Sequence, residues 1–201
     1  MEKKFSILEK IIKYNFKKRT LLEKALTHKS YNNNINNEKL EFLGDRVLGL
    51  TISERLLEKY PEEKEGIIDK KFANLVNKNT CSLIAKKINL KKYILLGSSH
   101  RKLDRSSDKI NSDCLEAIVG AIYLDGGLKF AKKFIHHFWE EYLLKSNITL
   151  IDSKTKLQEF SLKKFKVLPK YIFSKKTGPQ HRPLFKTEVQ IPNSKKVIGI
   201  G

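Results

Sequence analysis

The feature that most constrains this chain is a pair of acidic segments whose carboxylates repeat at helical spacing. Glu38, Glu41 and Asp45 are spaced i, i+3 and i+7, so all three share one face of a helix. Asp113 and Glu116, spaced i and i+3, share a face as well. Like charges this close repel, and burying them unpaired is costly unless a cation binds. Because oxygen-only ligands favour hard ions such as Mg²⁺ or Mn²⁺, the two segments predict a metal site on helices.

Four stretches of the sequence agree in order and spacing with the motifs of a known family. They read LTHKS at residues 26–30, NEKLEFLGD at 37–45, EG at 65–66 and DCLEAIVGA at 113–121. Together they resemble the bacterial ribonuclease III family, which cleaves double-stranded RNA with Mg²⁺. The tail, from TKLQEF at 155–160 through GPQH at 178–181, resembles a double-stranded-RNA-binding domain. The resemblance therefore spans nearly the whole chain.

The resemblance implies a mainly α fold with two domains. We expect an all-helical ribonuclease III endonuclease domain over residues 1–147, a linker over 148–153, and a small α+β double-stranded-RNA-binding domain over 154–201. The family's RNA-binding domain continues with a final helix that this sequence does not contain. Either the sequence is truncated or this domain is degenerate, so the tail is expected to be an incomplete α-β-β-β domain that does not fold alone.

Hydrophobic periodicity predicts where the helices lie. Tyr60-Pro61 should end the long helix that carries the first acidic motif, since proline restricts the residue before it. Gly44 inside that helix is unfavourable unless another helix or RNA approaches closely. The helical patterns run over residues 5–12, 40–57, 68–81, 110–124, 130–142 and 155–165, and strand-like runs follow at 170–175, 185–191 and 196–200.

The resemblance also assigns roles to the acids. It implies that the metal ligands are Glu41, Asp45, Asp113 and Glu116, with Glu116 the acid whose loss reduces turnover most. Glu38 and Glu65 match catalytic acids farther out, which orient water, ligands or the RNA backbone. For Glu38 the alternative is a solvated acid paired with Lys39 or Lys24, and for Glu65 it is a member of the charged run at 62–65.

Further residues match the family's interfaces. Phe42 corresponds to a residue that packs into the partner subunit of a homodimer, although an ordinary core phenylalanine is an equal alternative. Arg46, beside Asp45, is predicted to lie on another helix face, where it could meet phosphate. In the tail, the matches to RNA-binding positions are Thr155, Gln158, Glu159 and His181.

Composition sets the broad class of protein. The formal net charge is +19, and residues 152–201 alone carry 12 Lys or Arg against 3 Asp or Glu, which favours polyanions. A lysine-rich bias also arises from AT-rich coding, so the charge alone does not decide the function. Cys81 and Cys114 form neither a zinc spacing nor a disulfide framework. With no signal-peptide or membrane-spanning pattern, we expect a soluble cytoplasmic protein.

The family implies a homodimeric endoribonuclease that uses Mg²⁺, with Mn²⁺ able to substitute. It would cut double-stranded RNA to staggered ends with 5′-phosphates and 3′-hydroxyls, in ribosomal RNA precursors and structured messages. One rival is a related fold that binds RNA without cleaving it, which the presence of all six acids opposes. Another is a carboxylate-bridged di-iron bundle, which needs Glu-x-x-His pairs that the sequence lacks.

Overall fold

The structure is a computed structural model that describes residues 2–97, 107–146, 153–173, 186–191 and 197–200. The chain divides into two compact units, Met1–Thr149 and Leu150–Gly201. The first unit is helical, which confirms the predicted mainly α character. Its elements are α1 (Glu2–Ile12), α2 (Arg19–Leu26), α3 (Glu38–Lys59), α4 (Glu65–Val76), α5 (Lys78–Lys87), a 3₁₀ turn (Leu90–Lys92), α6 (Asp108–Gly126) and α7 (Leu128–Lys145).

The described part of the second unit contains one helix and one sheet. Its elements are α8 (Ser153–Phe165), β1 (Lys170–Phe173), β2 (Lys186–Gln190) and β3 (Val197–Ile200). The three strands are antiparallel in the order β1-β2-β3, with Tyr171 opposite Val189 and Thr187 opposite Gly199. Residues 174–185, which contain His181, lie outside the described residues.

Helix α6 forms the centre of the first unit. From Cys114 to Ile122 its sequence is almost continuously apolar, with Glu116 as the main exception. A helix that is apolar on every side must be surrounded by protein. Accordingly, Leu115, Ile118 and Ile122 have no exposed surface. Helices α2, α3, α5 and α7 pack around α6, and α3 makes the most extensive contact with it.

Two glycines bring the backbones of α3 and α6 into direct contact. A Cβ atom at Gly44 would lie 1.8 Å from the carbonyl oxygen of Glu116, and one at Gly120 would lie 2.2 Å from that of Leu40. Only glycine fits at such a crossing. The expectation that Gly44 needs a close approach is confirmed, and the neighbour is a helix of the same chain. The matching role of Gly120 was not predicted.

The prediction of a single helix over residues 68–81 is wrong, because the helix is interrupted at Asn77. This residue has extended backbone angles (φ −71°, ψ 160°), and its side chain accepts a hydrogen bond from the Thr80 amide. Asparagine is a favoured residue at a helix N-terminus because its side-chain oxygen binds an otherwise unpaired amide. Apolar periodicity continues across the break, since α4 and α5 face the same core. Periodicity also gave no sign of α2.

Hydrogen bonds connect the C-terminal part of α7 to α4 and to Tyr60, the residue that follows α3. Lys71 is almost fully buried, and its ammonium group donates to the Ser146 carbonyl at 2.7 Å. Tyr60 donates to the Leu143 carbonyl at 3.3 Å, and the Trp139 indole donates to the Leu75 carbonyl at 2.9 Å. Across the described ranges, no helix is both long and apolar enough to cross a membrane.

Candidate active site

The predicted metal ligands line one cleft of about 690 Å³ at the crossing of α3 and α6. Glu41 and Asp45 come from α3, and Asp113 and Glu116 come from α6. Since the glycine contact holds the two backbones together, these four carboxylates are brought to the same place. The complete lining is His28, Lys29, Asn37, Glu38, Glu41, Phe42, Asp45, Arg46, Ser107, Lys109, Ile110, Asp113 and Glu116.

Glu116 is the acid most affected by its surroundings. Burial raises its pKa to about 7. The hydrogen bond that Ser112 Oγ donates to Glu116 Oε1, at 3.1 Å, opposes this shift, and the charges of Asp45, Asp113 and Glu41 increase it. A carboxylate that is mostly buried among other carboxylates keeps its proton more tightly than a solvated one. At neutral pH, therefore, Glu116 is poised between its two protonation states.

The other acids of the cleft share this repulsion to a lesser degree. Burial, and then the charge of Asp113, raise the pKa of Glu41. Lys109, one turn before Asp113 on α6, donates to its Oδ2 atom at 2.7 Å, and this bond raises the pKa of Lys109. The positive charge of Lys109 thus offsets part of the acidic field inside the cleft.

Two further cations stand at the rim of the cleft. Lys29 pairs with Glu38 at 3.0 Å, so neither Lys39 nor Lys24 is the partner that the alternative reading gave to Glu38. Arg46 pairs with Asp45, and its guanidinium carbon lies 4.9 Å from the centre of the Phe42 ring.

The prediction that Arg46 faces away from the acids is wrong. Its long side chain reaches back to the preceding carboxylate and to the aromatic ring one turn earlier, which together offer an ion pair and a cation–π contact. Arg46 therefore lines the same cleft as Asp45.

The remaining sequence-predicted residues lie elsewhere. Glu65 is exposed in the first turn of α4 and does not line the cleft. The side chain of Phe42 is 64% exposed at the cleft rim, which excludes the core alternative. On α8, Gln158 is half-buried and Glu159 is exposed. Of Thr155 only the helical backbone is described, and His181 lies outside the described residues.

The donor set fits a hard divalent cation. All four converging side chains are carboxylates, and their mutual repulsion is the cost that a cation relieves. As they stand, Asp45 and Asp113 are turned to Arg46 and Lys109. Among the described residues, no three acidic, histidine or cysteine side chains are grouped closely enough to hold a metal ion in these positions.

His28, which lines the cleft, has a structural role. His28 Nδ1 lies 2.8 Å from Ser30 Oγ and 3.1 Å from the Ser30 amide, which shapes the turn before α3. Sequence reasoning missed Ser112 and Lys109, although each lies four residues before an acid that was predicted. That i, i+4 spacing on α6 was the available signal.

The fold and cleft define a helical protein with four carboxylates at one cleft, and comparison with known proteins narrows the class. Residues 18–143 match a family described as ribonuclease-III-like. Ribonuclease 3 of Pelagibacter ubique is 57% identical over 188 residues, which cover 94% of this chain and 85% of that protein. Ribonuclease 3 of Ehrlichia ruminantium is 43% identical over 96% of this chain and 88% of that protein.

A solved structure agrees with the sequence relatives. The nuclease domain of ribonuclease III from Campylobacter jejuni, described as flexible in a region involved in dimer formation, matches with a TM-score of 0.66. It is 42% identical, and the match covers 67% of this chain and 94% of that domain. The chain belongs to the ribonuclease III family, whose members are endoribonucleases acting on double-stranded RNA.

Proposed function

We propose that this chain is a divalent-metal-dependent endoribonuclease that hydrolyses phosphodiester bonds in double-stranded RNA. The observation that carries the proposal is the convergence of Glu41, Asp45, Asp113 and Glu116 in one cleft, at a helix crossing that glycine alone permits. An acidic cleft of this kind is unfavourable for folding. The presence of such a cleft in a protein of the ribonuclease III family is explained if the reaction needs those carboxylates.

The ion proposed is Mg²⁺, with Mn²⁺ able to substitute, held by the same four carboxylates. When bound, such a cation lowers the pKa of a coordinated water and stabilises negative charge on phosphoryl oxygens. Glu116 must lose its proton to act as a ligand, and the Ser112 hydrogen bond favours the deprotonated form. Lys109 balances the excess acidic charge beside Asp113.

The outer acids have a different proposed task. Glu38, at the rim and paired with Lys29, is placed to orient water or the RNA backbone. Glu65 does not line the acidic cleft. We propose the same catalytic role for it because it matches an acid of the family motif. Both roles predict partial rather than complete loss of activity on removal.

We further propose a homodimer in which each subunit cuts one strand. Phe42 supports this proposal, because it matches the residue that packs into the partner subunit in the family, and its ring, 64% exposed at the cleft rim, is accessible to a partner. A closed two-subunit arrangement would supply a second site for the opposite strand. The products would be staggered ends with 5′-phosphates and 3′-hydroxyls.

The second unit is proposed to assist RNA binding. We retain the domain limits 1–147, 148–153 and 154–201, with RNA contacts from Thr155, Gln158, Glu159 and His181. A-form RNA is recognised mainly through its shape, 2′-hydroxyls and phosphates, so duplex length should govern substrate choice. The substrates proposed are ribosomal RNA precursors and structured messenger RNAs, processed in the cytoplasm.

The decisive experiment is cleavage of a long RNA duplex with and without Mg²⁺. Mg²⁺ and Mn²⁺ should each support cleavage. Ca²⁺ should allow binding without cleavage, because it is larger and less exacting in geometry. Single-stranded RNA and duplex DNA of the same sequence serve as controls, and end-labelling identifies the 5′-phosphate. Equal cleavage in EDTA, or of the single strand, would refute the proposal.

A further inference from the structure

A second cleft, of about 490 Å³, lies between helix α7 and the loop that follows α1. None of its residues lines the acidic cleft, and no part of the proposed reaction uses it. Its volume falls within the roughly 300–1,000 Å³ typical of small-molecule sites. The lining residues are Ile12, Lys13, Tyr14, Asn15, Lys17, Phe130, Lys133, Phe134 and His137.

One wall of this cleft is held in place by Asp125. The Tyr14 hydroxyl donates to Asp125 Oδ2 at 2.7 Å, and the backbone amides of Lys17 and Lys18 donate to its two oxygens at 2.8 Å each. Lys13 adopts a left-handed conformation (φ 56°), which turns the chain sharply at the end of α1. The loop is therefore formed in advance, and its lysine side chains are presented from a fixed backbone.

The cleft is strongly cationic. Lys13, Lys17 and Lys133 line it, no acidic residue does, and no ion pair joins these three lysines to a carboxylate within the described part of the chain. Partial desolvation, together with the charges of Lys13 and Lys87, lowers the pKa of His137, as expected in a positive field. Lys17 also interacts electrostatically with Asp125, outside the lining of the cleft. Three ammonium groups at one concave site favour an anion such as a phosphate group.

The cleft also offers an aromatic wall. The Phe130 ring is 42% exposed and meets the Tyr14 ring edge-to-face, with centroids 5.6 Å apart. Tyr14 in turn packs against Phe16, with centroids 4.9 Å apart. An inorganic anion gains nothing from exposed aromatic rings, whereas a nucleobase stacks on them. Phosphate-binding cations beside a base-binding surface are the two halves of a nucleotide site.

We propose that this cleft binds a nucleoside monophosphate unit, with the base against Phe130 and Tyr14 and the phosphate held by Lys13, Lys17 and Lys133. The unit is either a free nucleotide or a nucleotide within an RNA strand, since both present the same chemistry. The site is separate from the metal-binding carboxylates and needs no divalent ion.

The test is calorimetric titration of the 201-residue protein with adenosine 5′-monophosphate in EDTA, which removes metal-mediated binding at the acidic cleft. We expect saturable binding at one site per chain. Adenosine alone and inorganic phosphate alone should each bind at least about tenfold more weakly, because each satisfies half of the site. Equally tight binding of phosphate alone would overturn the nucleotide assignment, as would the absence of saturable binding at millimolar nucleotide.

Matched variants locate the binding. Lys133→Ala and Phe130→Ala should each weaken binding by about tenfold. Lys129→Ala removes the same charge from the same helix, and Leu144→Ala removes an exposed apolar side chain from it, so neither should change the affinity. Binding unaffected by Lys133→Ala and Phe130→Ala, in variants whose thermal unfolding matches the parent, would place the nucleotide elsewhere and overturn the proposal.

A competition experiment distinguishes the two sources of the nucleotide. A short single-stranded RNA with a 5′-phosphate should displace adenosine monophosphate if the cleft accepts a strand. If it does not, while free nucleotide still binds and responds to Phe130→Ala, the cleft accepts only a free nucleotide. Both results support the site and assign its ligand.

Discussion

The two units of the chain differ in how they use apolar and charged residues. In Met1–Thr149, long side chains such as Leu48, Leu115 and Trp139 are fully buried or nearly so. In the second unit, Phe160, Val167 and other apolar side chains of α8, its C-terminal turn and β1 are about half exposed. The first unit carries 29 Lys or Arg against 19 Asp or Glu, and the second carries 12 against 3.

This difference matches the two tasks proposed for the units. In the first unit, packing fixes a backbone crossing and so determines where four carboxylates lie. In the second unit, positive charge is dense and several of the apolar side chains that the structure describes are about half exposed. The polyanion binding proposed for this unit does not need precise packing. Substitutions should therefore change turnover strongly in the first unit and affinity modestly in the second.

The largest effect is expected from Glu116→Ala. Loss of this mostly buried carboxylate should reduce cleavage of duplex RNA by about 10²–10³-fold, a typical effect of removing one group that stabilises a transition state. RNA binding should persist, because phosphate contacts elsewhere supply most of the affinity. Paired gel-shift and cleavage assays at saturating Mg²⁺ measure both quantities.

Glu62→Ala is the matched control for this prediction. Glu62 is exposed, lies before α4 and does not line the cleft. Its removal should leave cleavage unchanged. Cleavage by the Glu116→Ala variant within tenfold of the parent would contradict the role assigned to Glu116.

The next effect concerns the helix crossing. Gly44→Ala places a methyl group where the carbonyl of Glu116 lies, and because backbone cannot move aside easily, the free energy of unfolding should fall by about 3 kcal/mol. Gly66→Ala is the control, since a Cβ atom there meets open space and alanine stabilises a helix by about 0.5–1 kcal/mol.

Trp139 fluorescence can follow unfolding in this experiment, because Trp139 is the single tryptophan and is buried in the first unit. Urea unfolding followed by its fluorescence measures that unit without a contribution from tryptophan in the tail. A Gly44→Ala protein as stable as the parent would mean that the two helices separate at little cost.

A pH-dependent effect of roughly 1–3 kcal/mol should follow from the raised pKa of Glu116. In EDTA, the folded protein keeps this proton up to about pH 7, whereas the unfolded chain releases it near pH 4.5. Stability from this group is thus complete below about pH 4.5 and lost as the pH rises to 7. Glu116→Gln should remove that loss, so the variant should be the more stable protein at pH 8. Identical dependence of the unfolding free energy on pH in the two proteins would show that the pKa of Glu116 is not raised in the folded state.

A smaller effect is expected from removing residues 150–201. Affinity for duplex RNA should fall by about tenfold at moderate salt, and its dependence on salt should become shallower, because fewer phosphates are neutralised. The Trp139 unfolding transition should be unchanged. An unchanged salt slope would show that the basic tail does not contact RNA.

The smallest effect is expected from Leu162→Ala. This side chain is 45% exposed on α8, so its truncation should change the unfolding free energy by less than about 0.5 kcal/mol. Leu48→Ala, at a fully buried position in α3, should cost about 2–5 kcal/mol. Equal losses of unfolding free energy at the two positions would contradict the difference in apolar packing between the units.

Much of the first unit was predictable from residue spacing. The acids of α3 and α6 repeat at helical intervals, and Tyr60-Pro61 ends α3 where proline chemistry requires. The break at Asn77 was not predictable from periodicity, because two short helices facing one core continue the same apolar pattern. Its signal was local: an asparagine three residues before Thr80, whose amide it caps.

The contacts inside the cleft depended on three-dimensional information. Spacing placed Arg46 on a different face from Asp45, but its flexible side chain returns to that carboxylate and to the Phe42 ring. Gly120 could be recognised as the partner of Gly44 only once the crossing point of the two helices was known. The position of Glu65 outside the cleft likewise depends on where α4 begins.

The bonds at the end of α7 have a mechanical consequence. The final carbonyls of a helix normally have no partner within it, and the last turn unwinds easily. Here Lys71 and Tyr60 hold the carbonyls of Ser146 and Leu143. Tension applied to the chain beyond Ser146 would therefore load α3 and α4 together with α7, instead of peeling α7 away one turn at a time. The helical unit should resist pulling from its C-terminal end as a single block.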